Sequence, residues 1–172
     1  MSRLHLVFHE SLCLGCDACV RSCQEEHLLP FDISWITVER EPVPGSDDRR
    51  FMLSVCRHCD EPDCLPACGE GALSRDEDGV VLMNDRRCSG CGACVEACPF
   101  DALHLSALRA VPPSSNFMSE KQERLRLHWA TRAERRVPTK CSLCPERRAA
   151  NRPPACVAAC PSAALLMSDS AE

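Results

Sequence analysis

Sixteen cysteines constrain the fold of this 172-residue chain more than any other feature. They fall into four groups of four, and no cysteine lies outside a group. The groups are Cys13, Cys16, Cys19 and Cys23; Cys56, Cys59, Cys64 and Cys68; Cys88, Cys91, Cys94 and Cys98; and Cys141, Cys144, Cys156 and Cys160. Aromatic residues make up only 4% of the chain, so it lacks the large side chains that dominate ordinary cores. The cysteine content therefore indicates a fold held together by disulfides or by metal.

The spacing within the groups favours iron–sulfur clusters. The first and third groups read C-x2-C-x2-C-x3-C, the second reads C-x2-C-x4-C-x3-C and the fourth reads C-x2-C-x11-C-x3-C. Three cysteines on a tight loop can point at three corners of one cubane, while backbone N–H groups of the loop face the cluster sulfurs. The last cysteine follows about one helical turn later and reaches the neighbouring cluster, as in two-cluster bacterial ferredoxins. The sequence therefore predicts four 4Fe–4S clusters.

Two other uses of these cysteines are weighed against this interpretation. A disulfide framework needs an oxidising compartment, but the N-terminal residues show no signal peptide or twin-arginine motif, and no apolar run approaches the ~20 residues of a membrane span. We therefore expect a cytoplasmic protein without direct membrane insertion. Structural zinc usually takes two separated C-x2-C pairs, a pattern that the second and fourth groups fit and the first and third fit poorly. A zinc-binding interaction module is the alternative from a different class.

Charge and motifs narrow the function classes. The formal net charge is −5 and the pI is near 5.7, which argues against nucleic acid as a partner. Thiolate-bound clusters would add about −2 each, and so acidic a protein suits a partner with a basic docking patch. The chain has no glycine motif for dinucleotides or phosphates and no nucleophile signature. Because every cysteine would serve as a ligand, no iron stays open for substrate. No catalytic residue is expected, and an iron–sulfur enzyme with a catalytic cluster is a weaker alternative.

Apolar periodicity and turn residues predict an α+β protein with short elements. A helix is predicted at Ala18–His27, and a hairpin is predicted around the turn Asp76–Gly79. The predicted strands are Leu4–Phe8, Ile33–Glu39, Phe51–Val55, Leu73–Arg75, Val80–Met83, Ala102–Leu105 and Ala164–Met167.

Residues 106–137 are predicted to be an insertion, a loop followed by a helix over Ser119–Arg136. Leu125, Trp129 and Ala133 recur at intervals of four and give one narrow apolar stripe among several arginines. The plainer interpretation is that the stripe packs on its own domain while the charges are solvated. The alternative is a docking element that joins a partner subunit or another copy of a complex.

The motifs resemble those of one family of redox proteins. Its members are the four-cluster, ferredoxin-like electron-transfer subunits of molybdenum and tungsten pterin oxidoreductases, such as the iron–sulfur subunits of dimethyl sulfoxide reductase and formate dehydrogenase. The small subunits of tungsten aldehyde oxidoreductases are also similar. The resemblance covers residues 3–100 and 138–167, and its most specific stretches are CLGCDACVRSCQEEHLLP, CRHCDEPDCLPACGEGA and KCSLCPERRAANRPPACVAACPSAAL. The chain departs from the family pattern at two places: Gly69 follows Cys68 where proline is usual, and Ser162-Ala163 follow Cys160-Pro161 where Thr-Gly is usual. The 42 residues between Cys98 and Cys141 also exceed what compact members need.

The resemblance implies a crossed ligand pattern and an architecture. The implied sets are Cys13, Cys16, Cys19 and Cys160 for cluster 1; Cys56, Cys59, Cys64 and Cys98 for cluster 2; Cys88, Cys91, Cys94 and Cys68 for cluster 3; and Cys141, Cys144, Cys156 and Cys23 for cluster 4. The implied fold is α+β, with two interleaved bacterial-ferredoxin-like modules. Residues 1–55 plus 138–172 would form the outer module, residues 56–105 the inner module, and residues 106–137 the insertion.

The resemblance also implies a function. The chain would be a non-catalytic electron-transfer subunit that relays electrons between a molybdenum- or tungsten-pterin catalytic subunit, with the aldehyde oxidoreductase type among the candidates, and an acceptor. That acceptor would be a flavin subunit, a ferredoxin or a quinone-reactive membrane subunit. The alternative within the same chemistry is a free polyferredoxin that diffuses between partners. His58, inside Cys-Arg-His-Cys, is either a hydrogen-bond donor near its cluster or a tolerated polar residue.

Overall fold

The structure, a computed structural model, describes residues 3–29, 33–105, 119–120, 123–124 and 137–169. Within these ranges the chain forms short strands and short helices, compatible with a small α+β ferredoxin-like fold. The strands are β1 His5–Phe8, β2 Ile36–Pro42, β3 Arg49–Val55, β4 Leu73–Arg75, β5 Val81–Met83 and β6 Leu165–Ser168. The helices are a 3-10 helix at Glu10–Leu12, α1 Ala18–His27, α2 Ala93–Glu96, α3 Pro145–Ala149 and α4 Ala155–Ala158. None of the described helices is long and apolar enough to cross a membrane.

The strands pair as three antiparallel ribbons, β1 with β6, β2 with β3 and β4 with β5. The β1–β6 ribbon joins distant parts of the sequence, since His5 lies opposite Ser168 and Phe8 opposite Leu165. Helix α1 also packs against helix α4. These two contacts bring the first cysteine group next to the fourth.

Ion pairs fasten helix α3, which lies in the long gap of the fourth group. Arg147 reaches Glu26 of α1 at 3.3 Å, and both side chains are mostly buried. Arg148 reaches Asp76 in the turn between β4 and β5 at 3.2 Å, and it also pairs with Asp78 of that turn. Because charge-assisted contacts strengthen when partly shielded from water, these pairs tie the fourth group both to the first group and to the hairpin.

The apolar core is divided into small patches, and each patch includes cysteines. One patch joins Cys23 and Cys156 to Leu29, Ile36 and Leu165, which come from α1, β2, β6 and their flanks. A second patch contains Cys56 and Cys141 with Val80, Ala102 and Leu143. A third contains Cys64 and Cys94 with Leu73, Val81 and Leu103. Burial is therefore concentrated around the sulfur atoms rather than in one continuous hydrophobic centre.

Most of the predicted elements are confirmed. Helix α1 has the predicted bounds, and the hairpin forms with Asp76 Oδ1 accepting the backbone N–H groups of Asp78 and Val80. The strands predicted at Leu4–Phe8, Ile33–Glu39, Phe51–Val55 and Ala164–Met167 form with ends shifted by one to three residues, and residues 33–35 lie outside β2. Strand ends are the least determined part of such predictions, because pairing rather than composition sets them.

The predicted strand Ala102–Leu105 is wrong. Only one isolated bridge forms there, between His104 and Thr139, whose backbone N–H and C=O groups pair at 2.9 Å. Ala102 and Leu103 are apolar because they pack around the cysteines of two core patches. Asp101 also has a φ of +47°, which interrupts the extended backbone just before them. A short buried apolar run thus imitated a strand.

The predicted helix Ser119–Arg136, with the docking hypothesis attached to it, falls mainly outside the described residues. Of the residues described there, Glu120, Glu123 and Arg124 are helical. The Glu123 N–H donates to the Ser119 carbonyl at 3.0 Å. Arg124 pairs with Glu146 of α3, so this segment contacts the fourth cysteine group.

Gly15 shows how closely the first cysteine loop packs on β3, and it gives a first prediction. A Cβ at Gly15 would lie 2.9 Å from Phe51 Cζ, and the residue has a φ of +62°. Gly45, in the β2–β3 turn, has a φ of +80° but nothing within 4 Å of an added Cβ. Both alanine substitutions carry about 1–2 kcal/mol of backbone strain, but Gly15→Ala adds overpacking of about 1–3 kcal/mol.

We expect Gly15→Ala to lower the urea midpoint clearly more than Gly45→Ala, in anaerobic unfolding followed by circular dichroism. Iron analysis of the same samples should find less iron in Gly15→Ala than in Gly45→Ala, because the distorted loop carries three of the predicted ligands. Equal losses in the two variants would show that the contact with Phe51 is unimportant.

Candidate metal centres

The four cysteine groups begin with the same backbone turn. In each group the second residue after the first cysteine has a positive φ, in the left-handed region that few residues other than glycine adopt freely. These residues are Gly15 at +62°, His58 at +49°, Gly90 at +78° and Leu143 at +53°. Groups that differ in spacing and in residue type therefore share a left-handed residue at the same position.

This turn points backbone N–H groups at the first cysteine's sulfur. Three such contacts have a distance of 3.4 Å, from Gly15 N to Cys13 Sγ, from Gly90 N to Cys88 Sγ and from Leu143 N to Cys141 Sγ. N–H groups directed at sulfur stabilise thiolate charge and are a feature of iron–sulfur loops. The predicted loop geometry is thus present in three of the four groups.

The last cysteine of a group also accepts backbone hydrogen bonds. The N–H of Ala72 lies 3.3 Å from Cys68 Sγ. Although burial alone raises the pKa of Cys160, hydrogen bonds from Leu165, Ser162 and Ala164 lower that pKa below its ordinary value. Both ends of the motifs therefore supply donors suited to thiolate sulfur.

The last cysteines of the first and fourth groups each lie beside the other group. Burial and then the charges of Cys141, Cys156 and Cys144 raise the pKa of Cys23 far above its ordinary value. Burial raises the pKa of Cys19 to about 11, and the neighbouring Cys160 contributes to that rise. Such charge effects act over short distances. The structure thus gathers Cys23 with the loop of the fourth group and Cys160 with that of the first.

The last cysteines of the second and third groups likewise each lie near the loop of the other group. Burial and then the charge of Cys56 raise the pKa of Cys64 to about 11, and Cys98 adds to the rise. Burial and then the charge of Cys68 raise the pKa of Cys94 to about 11. Cys98 therefore lies by the second loop, and Cys68 lies by the third.

The gathered sets adjoin one another in a fixed order. Cys56 of the second group raises the pKa of Cys141 of the fourth, although burial is the larger cause. The two cysteines also share one core patch. Cys64 likewise adds to the raised pKa of Cys94, after burial and closer cysteines. The contact order is thus first, fourth, second and third group.

Each end of this order has an exposed cysteine, and most cysteines of the two middle loops are buried. Cys16 of the first loop and Cys91 of the third are exposed. Cys56, Cys141 and Cys144 of the two middle loops are buried. Beside Cys16, Leu14 is 66% exposed, which is unusual for a large apolar side chain. The first loop therefore presents a cysteine and an apolar residue together on the surface.

The residues around the second group fit a 4Fe–4S cluster. A cavity of about 230 Å³ is lined by the set Cys56, Cys59, Cys64 and Cys98, together with apolar side chains such as Val81 and Phe100. Four cysteine thiolates are the usual ligands of such clusters, and the same cavity is also lined by the charged residues Arg57, Glu61 and Asp63. Among the described residues, no three His, Cys, Asp or Glu side chains are gathered as for a single metal ion.

Lys140 is a buried cation between the second and fourth loops. It is 4% exposed, and its Nζ donates to the carbonyls of Val81 and, at 2.7 Å, of Cys141. Burial raises the pKa values of Cys64 and Cys141, to about 11 and about 12, and the Lys140 charge opposes both shifts. The role of Lys140 was not predicted from the sequence, although its place directly before the C-x2-C of the fourth group is a local signal.

His27 makes a contact that the sequence did not reveal. Its Nε2 lies 3.2 Å from Cys144 Sγ, and its ring lies 4.6 Å from the ring of Trp35. Trp35 Nε1 in turn donates to Thr139 Oγ1 at 2.8 Å. His27 and Cys144 are 117 residues apart, so no local pattern connects them. The histidine contacts a cysteine of the fourth group from helix α1.

Comparison with known proteins agrees with this geometry. Residues 48–112 match the family described as a 4Fe–4S dicluster domain, and residues 10–26 match a 4Fe–4S binding domain. The chain is 31% identical over 168 residues to the ferredoxin-like protein YdhX of Escherichia coli K12, covering 95% of this chain and 64% of that protein. It is 32% identical over 161 residues to a tetrathionate reductase subunit of Salmonella typhimurium, covering 91% of this chain and 54% of that protein. The chain thus spans less than two thirds of the length of these two relatives.

A further relative is covered more completely. The chain is 32% identical over 171 residues to the thiosulfate reductase electron transfer subunit PhsB of Salmonella typhi, covering 96% of this chain and 76% of that protein. Together with the matched 4Fe–4S domains, this coverage defines the class of protein. The chain belongs to the family of ferredoxin-like 4Fe–4S electron-transfer subunits of reductase complexes.

Proposed function

We propose that the chain holds four 4Fe–4S clusters and carries electrons between a catalytic subunit and an acceptor. The ligand sets are the crossed ones, in which Cys160, Cys98, Cys68 and Cys23 complete the clusters of the first, second, third and fourth loops. The observation that supports the proposal is that these last cysteines lie near the loop of the other group, Cys23 beside Cys156 and Cys160 beside Cys19. A local disulfide or zinc motif would not need such an exchange between distant segments.

When bound, each 4Fe–4S cluster supplies one-electron storage. The chain's own residues hold the cysteine sets in contact, keep water from the middle sets and supply hydrogen bonds to sulfur. The contact order first, fourth, second, third sets the route, with the solvent-facing Cys16 and Cys91 at its two ends. Electrons enter and leave at these ends.

The catalytic partner that we propose is a molybdenum- or tungsten-pterin subunit, with the aldehyde oxidoreductase type among the candidates. The relatives' names place them in tetrathionate and thiosulfate reductases, and the motifs resemble those of pterin oxidoreductase subunits. The other partner would be a flavin subunit, a ferredoxin or a quinone-reactive membrane subunit. The net charge of −5 favours basic docking patches on both. The complex would work in the cytoplasm.

The proposed modules follow from the same pairing. Residues 1–55 and 138–172 would form the outer ferredoxin-like module, which the β1–β6 ribbon and the α1–α4 contact support. Residues 56–105 would form the inner module around the β4–β5 hairpin. Residues 106–137 would be an inserted docking element.

The crossed ligand sets can be tested by removing one cysteine. In Cys160→Ala, the set with Cys13, Cys16 and Cys19 loses a ligand while the set of the fourth loop stays complete. We expect brief anaerobic alkylation, read by peptide mass spectrometry, to label the first-loop cysteines several-fold more than in the unchanged protein. The fourth-loop cysteines should stay protected.

Cys23→Ala is the matched control for that experiment. It should expose Cys141, Cys144 and Cys156 and leave the first-loop cysteines protected. If Cys160→Ala instead exposed the fourth loop, each group would hold its own cluster and the crossed assignment would be wrong.

The function itself is tested by the metal content of the protein as it occurs in its host. The tagged protein is purified without oxygen and passed over a sizing column. Four clusters predict about 16 Fe per chain, and the proposed catalytic partner predicts that this iron elutes at high mass together with molybdenum or tungsten. The same iron at the mass of a lone chain would favour the free polyferredoxin. A colourless protein with stoichiometric zinc would favour the zinc-binding interaction module.

The buried Lys140 gives a prediction about the middle of the route. Its positive charge stabilises the more negative, reduced state of a nearby cluster, so Lys140→Met should lower the reduction potentials of the two clusters bound by Cys64 and Cys141. A tenfold change in each equilibrium constant is roughly 59 mV for one electron. Arg49→Met is the control, because Arg49 is exposed and its charge is screened by water and salt. Redox titration followed by electron paramagnetic resonance (EPR) measures the reduction potentials of the two clusters in each variant. Equal shifts in the two variants would rule out a special role for Lys140.

A further inference from the structure

His58 occupies a position where its side chain is unexpected. The first and third loops have glycine at the equivalent position, and His58 has the same left-handed backbone, with a φ of +49°. A side chain there carries backbone strain that glycine would avoid. The His58 side chain is nonetheless 1% exposed, so it is fully enclosed beside Cys56 and Cys59.

The hydrogen bond to His58 fixes where its proton lies. The backbone N–H of Val81 donates to Nδ1 at 3.1 Å. A neutral imidazole that accepts at Nδ1 carries its proton on Nε2. The ring is therefore neutral, and Nε2–H is a donor.

That donor has no acceptor in the described part of the protein. Nε2 is buried and makes no hydrogen bond there. A buried donor without an acceptor costs about 1–3 kcal/mol, which is hard to reconcile with a side chain that merely fills space. Leu143 of the fourth loop fills the equivalent space without a polar atom, so the loop does not need a histidine for packing.

The space beside His58 indicates what the acceptor is. The cavity of about 230 Å³ that His58 lines is also lined by Cys56, Cys59, Cys64 and Cys98. Its remaining walls include the charged residues Arg57, Glu61 and Asp63 beside apolar side chains such as Val81 and Phe100, and His58 Nε2 makes no hydrogen bond to any of them. The acceptor that the proposed function brings into this cavity is sulfur.

We propose that His58 donates its Nε2–H to a sulfur atom of the cluster held by Cys56, Cys59, Cys64 and Cys98, and that this hydrogen bond raises the reduction potential of that cluster. The inference rests on the proposed function. The direction follows because a hydrogen bond stabilises the added negative charge of the reduced cluster more than the oxidised one. The Val81 N–H orients the ring for this contact, as the partners of cofactor-contacting groups commonly do.

The first experiment uses the unaltered, cluster-loaded protein. Chains with 15N-labelled histidine are reduced in steps, and pulsed EPR measures the hyperfine coupling between each reduced cluster and 15N. We expect couplings to histidine nitrogen on two clusters, one through His58 and one through His27, which lies at Cys144. If His27→Leu abolishes every coupling between a cluster and histidine nitrogen, the proposal is wrong.

The second experiment compares variants by redox titration. His58→Leu imports the residue of the fourth loop and removes the donor, and we expect one reduction equilibrium constant to fall about tenfold, which is about 59 mV. His58→Gln places an amide donor near the Nε2 position and should restore much of the shift. His58→Gly, which relieves the positive φ, should resemble His58→Leu. A structural role alone would instead leave the potentials unchanged or make glutamine no better than leucine.

Failure of this inference differs from failure of the proposed function. His27→Leu is the matched variant and should shift a different cluster, the one held by the fourth loop, because His27 contacts Cys144. About 16 Fe per chain with four titrating clusters and no effect of His58→Leu would leave the electron-transfer function standing and overturn the role of His58. A chain that binds zinc and shows no EPR signal would overturn both.

Discussion

The structure depends on holding many cysteine sulfurs close together away from water. Burial raises the pKa of Cys23, Cys64, Cys94 and Cys156, and neighbouring cysteines raise these values further. Bare thiolates would repel one another in such sites, so the packing is favourable only when positive charge and hydrogen-bond donors are also present. The N–H groups aimed at Cys13, Cys88 and Cys141 supply part of this stabilisation. On the proposed function, iron supplies the remaining positive charge. The clusters then join the small apolar patches in the way that one continuous core would.

This constraint also explains why the chain closes on itself. A group whose last cysteine serves a distant loop cannot complete its set locally, so the segments that carry the two loops must be joined. The β1–β6 ribbon, the α1–α4 contact and the ion pair from Arg147 to Glu26 provide that joint. Because these contacts are long-range, folding and cluster assembly are expected to be coupled, as they are in other small metal-dependent domains.

The sequence predicted what depends on local pattern and missed what depends on distant contacts. Helix α1 follows from the local sequence pattern and the Asp76–Gly79 turn follows from turn chemistry, and both were predicted correctly. The strand expected at Ala102 was wrong because burial around cysteines looks the same in sequence as burial in a sheet. His27 and Lys140 contact the cysteine sites through tertiary packing, so local patterns gave them no role, and the common turn of the four loops was hidden because glycine occupies only two of the four positions.

The differences among these four equivalent turns carry a physical meaning. In the first and third loops, which contain the exposed cysteines, the second residue after the first cysteine is glycine. Water can stabilise added negative charge at these loops. At the two middle loops the residue at this position is His58 or Leu143, and Lys140 lies between them. Removing water from a charged cluster lowers its reduction potential, since the reduced form loses more solvation. On the proposed contacts with the clusters, the buried cation Lys140 and the buried donor His58 would oppose that drop. On the proposed route, electrons cross the enclosed middle because these residues replace the stabilisation that water provides at both ends.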